Sequence, residues 1–376
     1  MKALLCLPPA RISNELDLFR AMPDWELTVV TDRESVSADR SIRLAPRRVP
    51  VVGGHEGWTA APAWLRGLTR LQPGPVDVVV SLELFSFGSL QASGLARRLG
   101  VPHVVTIFET LADNPLYRVP PWRQITRRVV STAAGFVCFT RRAAAHAVLL
   151  GCPEQRCVVV HPGVDTARFF PTGDVDSRRP VVLFVGMLRA DRGADKGVLD
   201  VVDACARLQR DGARLRLLLI GEGPLGPALV QRAVKQPFLQ VLGRRPRDEV
   251  AHLMRQAGTL VLASRRTAKW EEQFGFVLAE AMAAGLPVVA TRSGAIPEVV
   301  PDWNPLVDEG DVESLAEGIR LALGPKGSRW GCRNRRYVEE HLELRKQGAA
   351  LSEALRGIIG AWTPLPATSR PRPANG

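Results

Sequence analysis

Short runs of apolar, largely β-branched residues recur along this chain, and stretches of helical period separate them. In the first half the runs fall at 3–7, 27–31, 76–81, 103–107, 135–139 and 158–161, with helical patterns at 86–99 and 141–150. After Arg178-Arg179-Pro180 the alternation restarts. Strand-like runs follow at 181–185, 215–220, 239–242, 259–263 and 287–291, with helical patterns near 198–210, 224–235, 248–257, 276–284 and 311–323. Such alternation predicts parallel sheets covered on both faces, and two series predict an α/β fold of two doubly wound, Rossmann-like domains. Pro162-Gly163, Pro171-Thr172-Gly173 and Arg178-Arg179-Pro180 are turn and linker signals between them. The predicted organisation is one domain over 1–165, a second over 166–340, a closing helix within 341–362 that packs back on the first, and a tail over 363–376. The tail is rich in Pro and Arg and too poor in apolar residues to order itself.

Length and composition fit this picture. The chain has 376 residues, enough for two cores, and its 46% hydrophobic and 23% charged residues are those of a soluble globular protein. No apolar run approaches the ~20 residues of a membrane span. The start, Met1 to Pro9, reads as a first strand rather than a signal sequence, which predicts a cytoplasmic protein. The six cysteines are scattered, with no Cys-x-x-Cys pair, and read as reduced, mostly buried thiols. A net charge of +12 fits either an anionic partner or an arginine-rich composition spread over the surface. No long basic run and no nucleic-acid-binding motif appears, so a nucleic-acid partner is not predicted. Trp122, Ile125 and Val129 recur at helical spacing beside Arg123, Arg127 and Arg128. That stripe is either a membrane-surface helix or a face packed inward on its domain.

The densest chemical signal lies at 264–300. A strand ends at Ala263, and a polar loop carries Glu271 and Glu272. Phe274-Gly275 then opens an apolar helix that includes Phe276 and Val277 and stops at Gly285-Leu286-Pro287. Gly275 permits close approach of backbone to a ligand. The first helical turn has free amides and the positive dipole end, which suit a diphosphate. Glu280 lies about 7 Å along the axis from Gly275. A carboxylate there can accept hydrogen bonds from a ribose diol, while Glu272 reaches the sugar beyond the phosphates. Glu280 sits in an otherwise apolar run, so it needs a partner.

The stretch Trp270-Glu271-Glu272-Gln273-Phe274-Gly275, with Leu278-Ala279-Glu280-Ala281-Met282-Ala283-Ala284-Gly285 and Ser293-Gly294-Ala295-Ile296-Pro297-Glu298, resembles the Glu-x7-Glu signature of the retaining family 4 glycosyltransferases (group 1). His161-Pro162-Gly163-Val164-Asp165 is similar to that family's interdomain segment, with Pro162 in place of the usual Asn. Leu219-Ile220-Gly221-Glu222-Gly223-Pro224 is similar to its strand–turn–helix in the donor domain, and Val241-Leu242-Gly243, followed by Asp248-Glu249-Val250, to the loop that borders the nucleotide base. The resemblance implies the GT-B fold, two Rossmann-like domains facing across a cleft. It implies sugar transfer with retention from a nucleotide-sugar, UDP being the commonest donor, with Glu272 on the sugar and Glu280 on the ribose. Phe274, Gly275, Phe276, Val277, Gly186 and Gly243 join Glu280 as the implied donor-binding set.

The family's phosphate-binding Gly-Arg-Leu…Lys-Gly segment corresponds to Gly186-Met187-Leu188-Arg189 through Lys196-Gly197. Met187 stands where an Arg is usual, so Lys196 and either Arg189 or Arg192 are the cations expected on the leaving diphosphate. No Asp-x-Asp motif stands in the second half, so neither metal nor other cofactor is expected. In the acceptor half the family's Gly-rich first loop and its histidine are replaced by Pro8-Pro9-Ala10-Arg11 and Thr106-Ile107-Phe108-Glu109. Glu83 and Glu109 follow predicted strands, with Asp113 nearby, and all three are expected on the acceptor side, where acids suit an aminocyclitol or amino sugar. Expected partners are thus the donor and a small-molecule or glycan acceptor, with lipid-linked glycan transfer at a membrane surface as the alternative. An epimerase, a phosphorylase or a non-catalytic binding protein on the same fold are readings from other classes.

Overall fold

The computed structural model describes residues 1–6, 13–31, 40–44, 46–48, 63–172, 180–190 and 195–363. The first half contains β1 (Lys2–Cys6), α1 (Ser13–Arg20), β2 (Glu26–Thr31), β3 (Arg40–Arg43), β4 (Pro46–Arg48), β5 (Ala63–Leu65), β6 (Val78–Leu82), α2 (Phe87–Leu99), β7 (His103–Ile107), α3 (Trp122–Thr132), β8 (Gly135–Cys138), α4 (Arg141–Leu149) and β9 (Cys157–Val159). The second contains β10 (Val181–Val185), α5 (Val198–Arg210), β11 (Arg216–Ile220), α6 (Gly226–Lys235), β12 (Leu239–Gly243), α7 (Arg247–Gln256), β13 (Thr259–Leu262), α8 (Phe276–Ala283), β14 (Val288–Thr291), α9 (Ile296–Val299), β15 (Leu306–Val307), α10 (Val312–Ala322), α11 (Pro325–His341) and α12 (Leu344–Ala361).

These elements build two parallel sheets. One runs β3-β2-β1-β6-β7-β8-β9, the other β12-β11-β10-β13-β14-β15, and β4 pairs with β5 in a separate antiparallel ribbon. Strands β6 and β7 are buried along their whole length, as expected where helices cover both faces. In each sheet the chain starts in the middle, moves to one edge, and then returns to build the other side. The order reverses between β1 and β6 and between β10 and β13, and crevices outside strand ends at such switch points are where ligands bind. Gly186 follows β10 and Ser264 follows β13, so the charged loops singled out in the sequence flank the second switch point.

The last helix crosses back. After α11 the chain runs beside the connector, where Val164 donates to the Leu342 carbonyl at 2.8 Å and Leu344 donates to the Val164 carbonyl at 3.0 Å. A Cβ on Gly163 would lie 2.5 Å from the Leu344 Cα, so only glycine fits this crossing. Helix α12 then buries Leu351 and Leu355 among Leu16, Phe19 and the strands of the first sheet. Each such leucine contributes about 1.5–3 kcal/mol by burial. The Trp25 indole donates to Ser352 Oγ at 2.8 Å across the same contact.

The stripe of α3 is settled by packing. Trp122, Ile125 and Val129 are buried in a cluster with Phe85, Phe136 and Ala143, so the apolar face points into the domain and Arg123, Arg127 and Arg128 face out. The 17-residue helix α11 carries no clear apolar period, and the sequence reading passes over it. Most of its buried positions are small or polar: Gly327, Gly331 and Asn334 are buried together with Val338, and Trp330 and Tyr337 pack partly buried against the core. The predicted tail, beyond residue 363, lies outside the described residues.

Charged contacts join the two halves. The N-terminal turn of α4 is held by Glu298, which accepts from the amides of Arg141 (2.7 Å) and Arg142 (3.3 Å) and lies 2.8 Å from His161 Nε2. Burial alone would raise the Glu298 pKa, but the histidine and the two amides outweigh it and hold the carboxyl below its ordinary value. The Arg142 guanidinium donates to both oxygens of Glu271, at 2.7 and 2.9 Å. The Glu271 side chain is wholly buried, whereas Arg142 remains 43% exposed. Arg266 stands 3.7 Å from Glu271 and reaches Asp113 at 2.7 Å.

This asymmetry in burial sets the first prediction. Arg142→Ala leaves a buried carboxylate with only the distant Arg266, a loss of about 3–5 kcal/mol. Glu271→Ala leaves a guanidinium that water can reach, a loss of about 1–2 kcal/mol. Urea unfolding of the two variants checks the order, and equal losses would contradict it. A second prediction concerns acid. His103 bonds Ser81 Oγ through Nε2 at 2.8 Å, and His146 packs on the Tyr117 ring at 5.1 Å. Burial pushes their pKa values down to about 3 and about 4, partly opposed at His146 by Glu271. The unfolded chain takes up these protons near the ordinary 6.5 and the folded one refuses them. Stability from both is therefore full above 6.5 and is lost as pH falls toward 4. His146→Gln should flatten the fall of the urea midpoint across that window, whatever its absolute stability.

Candidate active site

Three glycines bring the loops of the second sheet together. Gly197, at φ 67°, begins α5, and a Cβ there would overlap the Ala263 carbonyl at the end of β13. A Cβ at Gly221 would overlap the Gly186 carbonyl just as closely, and one at Gly223 would collide with the Leu188 carbonyl. Leu188 donates to the Glu222 carbonyl at 2.9 Å, and Gly186 donates to that of Ile220 at 3.0 Å. The Gly-Glu-Gly turn after β11 is thus fixed against the loop after β10, which carries Lys196 toward the end of β13.

There Lys196 Nζ meets Glu272 Oε2 at 2.6 Å. Ser264 Oγ donates to the same oxygen at 2.8 Å, and Lys196 also lies 4.7 Å from the centroid of the Trp270 ring. Glu272 is 5% exposed. Its backbone is braced from beneath: Ala295 donates to the Glu272 carbonyl at 2.8 Å, and a side chain at Gly294 (φ 53°) would collide with it. Gly275, at φ 78°, then opens α8; the Leu278 amide donates to the Gly275 carbonyl at 2.8 Å, and the helix start presents the amides of Phe276 and Val277 ahead of it. Phe274 is buried in the core and its ring lies 4.9 Å from that of Phe276, which in turn lies 6.1 Å from Phe108 of the first half. Val277 packs at the edge of the same core.

Glu280, 8% exposed, is bound by Arg247, whose Nη2 donates to Oε1 at 3.0 Å. Burial outweighs the opposing charges of Arg247 and Arg168 and holds the Glu280 carboxyl above its ordinary value. Arg247 has no place in the sequence motif. It stands at the start of α7, just after the left-handed Gly243 (φ 71°) that ends β12, and the only sequence signal for it was a basic residue beside the loop expected to border the base. The structure thus brings together Gly186, Lys196, Glu272, Phe274, Gly275 and Phe276, and sets Glu280 farther along α8. Arg189 is half-buried on the loop after β10, and Met187 is 42% exposed. Arg192 lies outside the described residues.

On the other side, Glu83 and Glu109 lie just beyond β6 and β7, and both are buried. Glu83 accepts from the Phe108 amide at 3.1 Å and is itself left-handed, at φ 66°. Glu109 Oε1 accepts from the amides of Thr110 and Leu111, both at 2.9 Å. Both acids therefore hold the loop after β7. Burial first, and then the nearby charges of Glu109 and Glu83, keep the Tyr117 phenol protonated. Asp113, exposed on that loop, faces the second half through Arg266. Among the described residues no three His, Cys, Asp or Glu side chains converge as a metal site.

Comparison with known proteins agrees with this arrangement. Residues 16–168 match Glycosyltransferase Family 4 and residues 179–324 match Glycosyl transferases group 1. The chain is 30% identical over 284 residues to a GDP-mannose-dependent alpha-(1-6)-phosphatidylinositol monomannoside mannosyltransferase of Mycolicibacterium smegmatis, covering 70% of this chain and 72% of that one. It is 31% identical over 355 residues to a D-inositol 3-phosphate glycosyltransferase of Mycobacterium sp. (strain KMS), covering 82% and 75%. It is 27% identical over 307 residues to a 2-deoxystreptamine glucosyltransferase of Streptomyces kanamyceticus, covering 75% and 76%. HepE of Anabaena, crystallised with UDP and glucose, superposes with a TM-score of 0.74 at 17% identity, over 95% of this chain and 100% of that one. Two parallel α/β units, the site at the switch point of the second, and these matches converge: the chain belongs to glycosyltransferase family 4 and has the GT-B fold.

Proposed function

We propose that this glycosyltransferase takes a sugar from a nucleoside-diphosphate sugar, with uracil as the base, and attaches it with retention to a hydroxyl of a small-molecule or glycan acceptor. The observation that carries the reading is the Lys196–Glu272–Ser264 contact at the mouth of α8, with Glu280 deeper along the same helix. In this reading the diphosphate sits on the α8 amides, and Lys196 moves from Glu272 toward its negative charge. Arg189 or Arg192 adds a second cation where Met187 supplies none. Glu272, once released, accepts from sugar hydroxyls, and Glu280 accepts from the ribose diol. The glycosidic C–O bond breaks as the diphosphate leaves, and the acceptor oxygen bonds to the anomeric carbon from the same face, passing its proton to the leaving diphosphate oxygen. Positioning and fixed charge carry the rate, and the site's own cations serve in place of a metal.

The relatives' names point to acceptors that share a cyclitol ring: phosphatidylinositol monomannoside, inositol 3-phosphate and 2-deoxystreptamine. A cyclitol, with an amine in the acceptor set favoured by Glu83, Glu109 and Asp113, is the acceptor class this reading takes. Lipid-linked transfer is the second reading. The mannosyltransferase relative favours it, while the inward packing of the α3 stripe removes the apolar face that a membrane-surface helix would use.

Thermal stabilisation by UDP-, GDP- and ADP-sugars tests the donor. UDP-sugars should raise the melting temperature, and silence from all three would sink the reading. Glu280→Ala should weaken UDP about 10- to 100-fold, the worth of charge-assisted hydrogen bonds to the ribose. Glu272→Gln should lower kcat far more than it weakens UDP. Product analysis without acceptor separates transfer from epimerisation, and the anomeric proton coupling of the product reports retention.

A further inference from the structure

Arg247 joins three parts of the molecule. Its Nη2 donates to Glu280 Oε1 at 3.0 Å, and its Nη1 donates to Asp17 Oδ2 at 2.7 Å. Asp17 lies on α1 of the first half, 230 residues away. The guanidinium also sits 5.7 Å from the centroid of the Phe169 ring in the connector, and its Nε is buried without a hydrogen-bond partner among the described residues. Arg247 holds only Oε1 of Glu280, and among the described residues no donor bonds Oε2.

We propose that Arg247, anchored by Asp17, is a positioning residue for nucleotide recognition: it holds Glu280 through Oε1 and turns it so that Oε2 remains for the ribose, while its charge works against the burial of the carboxylate. This rests on the ribose reading of Glu280 and deepens it. A diol offers two donors, and an ionised carboxylate accepts both, whereas the protonated acid has become a donor itself. Burial favours the protonated form, so a cation is needed to hold the charge. The charged groups facing Glu280 are Arg247 on α7, Arg168 in the connector and Asp17 on α1, and Asp17 acts in the opposite sense to the arginines. Arg168 is itself paired with Asp248 at 2.9 Å. On α11, which packs along α8, Arg335 Nη1 is spent on the carbonyls of Thr166, Phe169 and Ala283. Strands β13 and β14 carry no ionisable residue. Arg247 is therefore the cation bonded to this carboxylate.

Titration calorimetry of the full chain with UDP between pH 6 and 8.5 tests the inference. Wild-type affinity should change less than twofold across that range. Arg247→Met should bind UDP about tenfold more weakly at pH 6 and recover toward pH 8.5, as Glu280 ionises without help. Arg247→Lys should restore most of the loss at pH 6, and Asp17→Asn should cost two- to threefold through the lost anchor. Wild-type affinity in Arg247→Met at every pH overturns the inference. So does a loss that neither pH nor lysine relieves, which marks a structural ion pair. Glu280→Ala separates the two levels. If it leaves UDP affinity unchanged, the ribose reading itself fails; if it weakens UDP while Arg247→Met does not, only the role of Arg247 fails.

Discussion

Three glutamates lie within ten residues of a largely apolar segment, and each is buried: Glu271 at 1%, Glu272 at 5% and Glu280 at 8% exposure. Buried carboxylates are costly unless each meets a cation and hydrogen-bond donors. Each of these does, from a different place. Arg142 comes from the first half, Lys196 from the loop after β10, and Arg247 from the start of α7. The loops of the second sheet and the seating of the two halves both follow from satisfying these charges.

The three pairs differ in what they leave available. Glu271 takes a two-pronged guanidinium and is sealed, so its part is to join the halves. Glu272 is bonded through one oxygen by a flexible ammonium and a hydroxyl, both of which a charged ligand can draw away. Glu280 is bonded through one oxygen as well, but by a rigid guanidinium that is itself held by Asp17. Lysine at the exchanging position and arginine at the fixed ones match the chemistry of the two side chains: a mobile point charge against a planar fork. Adjacent acids, Glu271 and Glu272, are thereby divided between holding the fold and facing the ligand.

Much of this frame was legible in the chain. Apolar runs of strand length set the edges of β7 and β10 to the residue, and those of most other strands to within one or two. The left-handed glycines Gly197 and Gly275 open helices that the pattern also placed. Helix α11 was not legible, because three of its four buried positions are two glycines and an asparagine, which leaves Val338 too isolated to show a hydrophobic period. The α3 stripe was legible as a helix face but not as to what covered it, since periodicity records a face and not its partner.

Local spacing by itself determined the Glu272–Gly275–Glu280 segment, because a helix places residues at a fixed rise and a left-handed glycine at a fixed start. The amphipathic run at 198–204 that follows also favoured Lys196 over Arg192 as the residue matching the end of the phosphate-binding segment. Only the tertiary structure decided what meets each charge. Arg142 and Glu271 are 129 residues apart, and Asp17 and Arg247 are 230 apart. No period links them; they meet because β1 and β10 lie at the middles of two sheets and α12 returns to close the first. Glu83 meets the Phe108 amide because β6 and β7 pair, whereas Glu109 accepts from the amides one and two residues after it, a local turn. Short-range geometry is written residue by residue, whereas the pairing of buried charges depends on which surfaces the packing brings together.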